Sequence, residues 1–371
     1  MQIRNGRAIR WIFTTTVVSA CLVGMVMPAA AQRIRRGPAG YLDHSTEWFS
    51  SEEAKKIAEN ILSYQADIGG WPKNVDTTAQ PYTGPHNQFD PTFDNGATTD
   101  ELRYLAHMYQ ATKNEKYRAA VLKGIDYILK AQYPNGGWPQ FYPPHAEIPY
   151  QRYITFNDNA MVRLMEFLRE VYNTELFSFV DADHRQAAHS EFDKGIECIL
   201  KCQIKVDGKL TAWCAQHDDV DFSPRPARTY ELVSLSGNES VGIVRLLMSL
   251  DSPSPEIVQA INGAVAWLGT AKLRGIKVER RPDSQAPRGF NKVVVEDPSA
   301  PPIWARFYEI GTNRPIFCDR DGVAKNDLSE IGYERRNGYN WLDYWPAELL
   351  EKEYPAWKAK WLPDAKPVDA N

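Results

Sequence analysis

The feature that most constrains this chain is that it repeats itself. Ile61-Leu62-Ser63-Tyr64-Gln65, followed by Gly69-Gly70-Trp71-Pro72, returns as Ile128-Leu129-Lys130-Ala131-Gln132 with Gly136-Gly137-Trp138-Pro139. A degraded third copy runs Ile199-Leu200-Lys201-Cys202-Gln203, then Asp207-Gly208-Lys209 and Trp213. Between the copies lies a second pattern. Thr92-Phe93-Asp94-Asn95 leads into Leu102, Leu105 and Met108; Thr155-Phe156-Asn157-Asp158-Asn159 into Val162, Met165 and Leu168; Ser236-Gly237-Asn238-Glu239 into Val241, Val244 and Met248. Fixed-period self-similarity marks a stack of supersecondary units, and apolar spacings of three and four make both kinds of segment helices.

Each repeat of about 65–80 residues then holds one helix that stops at a Gly-Gly-Trp-Pro loop and one that starts at an Asp/Asn loop. Thr98 with Glu101, and Ser236 with Glu239, have capping-box spacing. The expected fold is all-α: about three helical hairpins side by side in an incomplete α/α barrel, with irregular loops and few short strands. Trp71 and Trp138 recur at the helix stops, which favours packing over a platform for sugar rings.

Arg4, Arg7 and Arg10 precede an apolar run from Trp11 to Met27 and then Ala29-Ala30-Ala31. This is the pattern of an export signal with cleavage after Ala31; Val18-Ser19-Ala20 before Cys21 also fits lipoprotein processing. The expected organisation is a signal at 1–31, one catalytic domain at 46–350 and a tail at 351–371. No later segment has the apolar length of a membrane span, so an exported, periplasmic or secreted protein without membrane attachment is expected, with a monomer as the default. The 43 Lys+Arg against 47 Asp+Glu give a net charge of −4, and losing the three signal arginines makes it −7. That balance excludes nucleic acid as a partner. An acidic polymer would have to be held by a local basic cleft or a bridging cation. Cys198, Cys202, Cys214 and Cys318 carry no zinc-ligand spacing and suit small buried hydrophobes.

Function concentrates in loops on a rigid scaffold. Asp94-Asn95 and Asp158-Asn159, in equivalent places of two repeats, offer carboxylate and amide oxygens to an oxygen-preferring ion, though too few for a closed cage. Arg228 in Ala227-Arg228-Thr229-Tyr230-Glu231 and Arg314 in Asn313-Arg314-Pro315-Ile316-Phe317 suit bidentate recognition of carboxylates. His217 fits either a satisfied structural histidine or an acid–base group.

Gly69-Gly70-Trp71-Pro72-Lys73-Asn74, Thr92 to Thr99, Trp213-Cys214-Ala215-Gln216-His217-Asp218, Arg228 to Glu231 and Asn313 to Phe317 stand in series. Together they resemble the motif blocks of family-10 pectate lyases over roughly residues 50 to 345. The resemblance implies an incomplete toroid of three α/α hairpins, polygalacturonate as substrate, calcium as cofactor and β-elimination as the reaction. Residue by residue it implies Asp94 and Asp158 as calcium ligands, Asn95, Lys209 and Arg314 as substrate ligands, and Arg228 as catalytic base. Two other readings compete: a glycoside hydrolase using Asp100, Glu101, Asp158 or Glu239 as its acid and base, and a non-catalytic polysaccharide-binding protein.

Overall fold

The computed structural model describes residues 37–362. The expected export signal and the last residues of the expected tail lie outside the described residues. Seven helices carry the fold: α1 (Glu52–Ser63), α2 (Thr99–Thr112), α3 (Glu115–Ala131), α4 (Ala160–Asn173), α5 (Ala182–Cys202), α6 (Glu239–Met248) and α7 (Pro255–Thr270). They pack as consecutive pairs, α2 on α3, α4 on α5 and α6 on α7. Neighbouring pairs meet through α2, α4 and α6 along one row, the more buried, inner one, and through α3, α5 and α7 along the other, outer one, which α1 leads.

The recurring Gln and Trp explain why the pairs stack. Gln65 donates to Gly69 O and to Ala120 O of α3, Gln132 to Gly136 O and Glu191 O of α5, and Gln203 to Thr211 O and Ala260 O of α7. One buried amide thus closes its own loop and staples it to the next helix of the outer row. Trp71, Trp138 and Trp213 are fully buried, and each indole N–H donates to the carbonyl of Ile61, Ile128 or Ile199 in the helix that precedes it. These rings are core, as their place at the helix stops predicts.

The expected all-α fold, with its incomplete toroid, is corrected. The described residues are 46% helix and 13% strand, the strand lying in several small sheets. The physical reason is that the loops between helices are buried, and buried backbone N–H and C=O groups must pair. They do so in short antiparallel ladders across long sequence separations. Ile154–Thr155 pairs with Gln216–His217, which pairs with Pro224–Arg225; Leu235–Ser236 pairs with Phe307–Tyr308. The longest ladder, Ile276–Pro282 with Phe290–Glu296, is a hairpin that follows α7. The four cysteines are free and buried. No described helix is long and apolar enough to cross a membrane.

Candidate active site

In all three repeats, the residue that opens the second pattern donates its N–H to the recurring tryptophan's carbonyl: Thr92 to Trp71, Thr155 to Trp138 and Ser236 to Trp213. In the first two the chain then enters a single tight turn, Asp94–Gly96 and Asn157–Asn159. Both turns hold residues in the left-handed region: Asn95 (φ 56°) and Gly96 (φ 86°), then Asp158 (φ 50°) and Asn159 (φ 61°). Asparagine and aspartate tolerate this region better than other non-glycine residues. Thr98 (φ 72°), a β-branched residue, does not. Strain of this kind collects where function requires it.

The matching dihedrals align Asn95 with Asp158, and Asp94 with Asn157. The two carboxylates therefore stand one position apart in the repeated turn, not in the equivalent places expected of them. Thr98 is no side-chain cap either: its hydroxyl accepts from Trp71 N and donates to Thr92 O. The Ser236 hydroxyl likewise accepts from Asn238 N and Glu239 N and donates to the Glu239 carboxylate.

The two turns lie against each other, and the second also meets the start of α6. Asp94 is buried. Its Oδ2 accepts from Lys73 Nζ at 2.6 Å, while its Oδ1 is buried without a partner. Asn95 beside it is exposed. The adjoining cleft, of about 310 Å³, is lined by Lys73, Asp94, Asn95, Asp100 and Glu101, among others. Burial, reinforced by the charge of Asp100, pushes the Glu101 carboxyl up to about 8.

Asp158 has both oxygens engaged, Oδ1 with Arg306 Nη2 at 2.9 Å and Oδ2 with Asn157 Nδ2 at 3.0 Å. Burial works to raise this carboxyl, but the charges of Arg306 and Arg228 with these hydrogen bonds outweigh it and hold it below the usual carboxylate range. Arg306 is 5% exposed, also donates to Asn157 Oδ1 and the fully buried Glu239, and stacks over the Tyr339 ring at 4.6 Å. The Tyr339 hydroxyl donates to Glu231 Oε1 at 2.9 Å, and Glu231 grips Arg228 through Nε (2.8 Å) and Nη2 (2.5 Å). Burial alone would lower the Arg228 guanidinium, yet Glu231 outweighs it and holds it above its ordinary value. An unbroken chain of contacts thus runs Asp158, Arg306, Tyr339, Glu231, Arg228.

Asp94, Asn95, Asp158 and Arg228 come together here; Lys209 and Arg314 do not join them. Lys209 sits on a short hairpin that lines a different cleft, of about 840 Å³, with Asn262, Trp267 and Asn313. Arg314 is exposed and pairs with Glu309 at 3.0 Å. His217 is buried with both ring nitrogens engaged, Nε2 accepting from Cys214 N and Nδ1 donating to Phe222 O, and burial pushes it down to about 4. It is a structural histidine.

Sequence reasoning missed Lys73, Glu231, Arg306 and Tyr339. Lys73 stands inside the Gly-Gly-Trp-Pro-Lys-Asn block and Glu231 three residues after Arg228, so both had a signal. Arg306, 148 residues from Asp158, had none.

A family model described as pectic acid lyase matches residues 65–350. The chain belongs to the pectic acid lyase family. Two solved structures of a family 10 polysaccharide lyase from Cellvibrio cellulosa are similar to it. One has 36% identity and a TM-score of 0.74, covering 85% of this chain and 96% of that one. The other, an aspartate-to-alanine mutant in complex with trigalacturonic acid, has 36% identity and a TM-score of 0.73, covering 83% of this chain and 96% of that one. No curated protein sequence matches. This member of the family is a polysaccharide lyase, which removes the hydrolase and binding-module readings.

Calcium, to which the family points, can be weighed against the donor set. Among the described residues no three His, Cys, Asp or Glu are grouped to hold a metal. The open, buried Oδ1 of Asp94 is the kind of hard oxygen that calcium takes. With Asp158 on the neighbouring turn, the residues fit a sparse site that a substrate carboxylate would have to complete.

Proposed function

We propose that this lyase cleaves α-1,4-linked polygalacturonate by calcium-assisted anti β-elimination, giving 4,5-unsaturated oligogalacturonates. The observation that carries the reading is the unpartnered, buried Asp94 Oδ1 beside the Asp158 turn, in reach of the Arg228 charge. The trigalacturonic acid held by the similar lyase supports the substrate class. The acting form is taken to be an exported monomer with its catalytic domain at 46–350, freed from residues 1–31.

Asp94 and Asp158 would hold the ion, with Asn95 on the sugar beside it; bound calcium supplies a positive charge to the substrate carboxylate as C5 loses its proton. Arg228 takes that proton in its neutral form. The C5–H electron pair becomes the C4–C5 double bond, the C4–O4 bond breaks, and the departing oxygen takes a proton from solvent water. Arg306, fixed and desolvated, keeps Asp158 ionised. Lys209 and Arg314, on their outlying cleft and hairpin, would act on sugars remote from the scissile bond.

Because Glu231 holds Arg228 protonated, its neutral form is a minor population at neutral pH. The rate should therefore climb toward alkaline pH. Purified protein incubated with polygalacturonate, across neutral to alkaline pH, should develop the ultraviolet absorbance of the unsaturated product, and chelator should abolish it. Reducing ends without that absorbance would refute elimination. A flat profile above neutral pH that survives Arg228→Ala would remove Arg228 as the base.

A further inference from the structure

The hairpin Ile276–Pro282 with Phe290–Glu296 and the segment around Tyr339–Tyr344 enclose a second cleft, of about 170 Å³, whose rim carries Arg280, Lys292 and Arg336. Whole small-molecule sites occupy roughly 300–1,000 Å³, so this cleft has room for one unit of a longer chain. Its cations outnumber the one carboxylate, Asp343, that lines it. Lys292 Nζ donates to Tyr339 O at 3.0 Å, Arg336 to Asn291 Oδ1, Ser329 O and Ile331 O, and Arg280 lies over the Phe290 ring at 5.0 Å. Arg288 close by donates to Asn337 O. Among the described residues none of these four has a carboxylate within ion-pair distance. Asp343 lines the same cleft, but its oxygens accept from Asn340 Nδ2 and Tyr344 N.

Unmatched cations crowded on a half-buried surface repel one another, and an anion that enters relieves the repulsion. The Lys292 ammonium reports this crowding: burial and then the charge of Arg280 lower it, Asp343 pulls it back in part, and Arg288 adds a smaller push down. Tyr339 joins this cleft to the candidate active site, since its carbonyl takes the Lys292 hydrogen bond while its ring lies under Arg306 and its hydroxyl meets Glu231. Aromatic Trp341 and Tyr344 complete the wall, the latter exposed.

We infer that the cleft between the 276–296 hairpin and Tyr339–Tyr344 is an auxiliary subsite that holds a carboxylate of an acidic saccharide chain, distal to the cleavage point, through Arg280 and Lys292. The inference rests on the polygalacturonate reading above. It assigns these two residues to chain binding, with no part in the chemical step.

The test compares wild type with Arg280→Gln/Lys292→Gln on polygalacturonate and on trigalacturonate. KM for the polymer should rise about fivefold, the effect expected for losing two partly screened charge contacts, with kcat and the KM for the trimer unchanged. Arg280→Gln alone, which removes an exposed side chain lying over Phe290, should give part of the rise without disturbing the Tyr339 carbonyl. Arg280→Lys/Lys292→Arg should restore most of it. Retardation in a gel containing polygalacturonate should weaken in the Gln variants, and this readout needs no turnover. Absent turnover in wild type would thus overturn the elimination reading while the gel still judges the cleft. An unchanged polymer KM with unchanged retardation overturns the inference, as does an equal rise for the trimer.

Discussion

Ser51, Asn114, Asp181 and Ser254 each place a side-chain oxygen on a free N–H at the start of α1, α3, α5 and α7, whereas the residues just before α2, α4 and α6 place none there, and α6 has only the Ser236 hydroxyl from the preceding strand. The outer helices end as isolated helices prefer to, each cap contributing about 1 kcal/mol. The helices of the inner row start from backbone that is strained or bridged to another element: α2 after Thr98, α4 after Asn159, α6 after the Leu235–Ser236 strand. Stability is built into one set of helix starts and the candidate chemistry into the other. The inner starts persist because buried ion pairs fix them, Lys73 on Asp94 and Arg306 on Asp158 and Glu239.

If that division holds, the largest effect should come from Arg306. Arg306→Met leaves two carboxylates, one of them fully buried, without their cation, and unpairing a buried charge costs about 3–5 kcal/mol. Urea unfolding should show the loss; a midpoint close to wild type would mean that the inner starts do not depend on this pair. Next comes Asp94→Asn, which keeps the turn but removes the charge on the open oxygen. It should lower kcat/KM for polygalacturonate about a hundredfold, in the range for losing one preorganised electrostatic contact, with little change in unfolding. Calorimetry should show weaker calcium binding in the presence of oligogalacturonate. Equal activity in Asp94→Asn and wild type would erase the distinction between the rows. The smallest effect belongs to the outer row: Ser51→Ala should cost about 1 kcal/mol of stability and leave turnover as it was. A change in KM or kcat there would show that the outer starts are not purely structural.

Much of the helical scaffold was legible, because its signals are local. The Gln and Gly-Gly-Trp-Pro blocks mark the helix stops, and the buried amide and indole hydrogen bonds explain why those residue types recur. Asp94 and Asp158 stood out because they follow Thr-Phe at helix starts. Their one-position offset was legible too, since Thr92-Phe93 and Thr155-Phe156 already set Asp94 against Asn157 and Asn95 against Asp158, a register that the left-handed dihedrals bear out. Only few short strands were expected, and their pairings were not legible. Leu235–Ser236 and Phe307–Tyr308 are two-residue pairings too short for a period of two to register.

The sequence by itself determined that the chain repeats, that paired helices carry it and that it is a polysaccharide lyase of the pectic acid lyase family, because periodicity, turn chemistry and motif order survive along a line. Only the tertiary structure decided that Lys73 faces Asp94, that Arg306 binds Asp158 and Glu239, and that Tyr339 links Glu231 and Arg228 to the basic cleft beyond. Those contacts join residues up to 148 positions apart. They form because a buried charge must find an opposite charge wherever packing puts one, and no spacing in the chain records where that is.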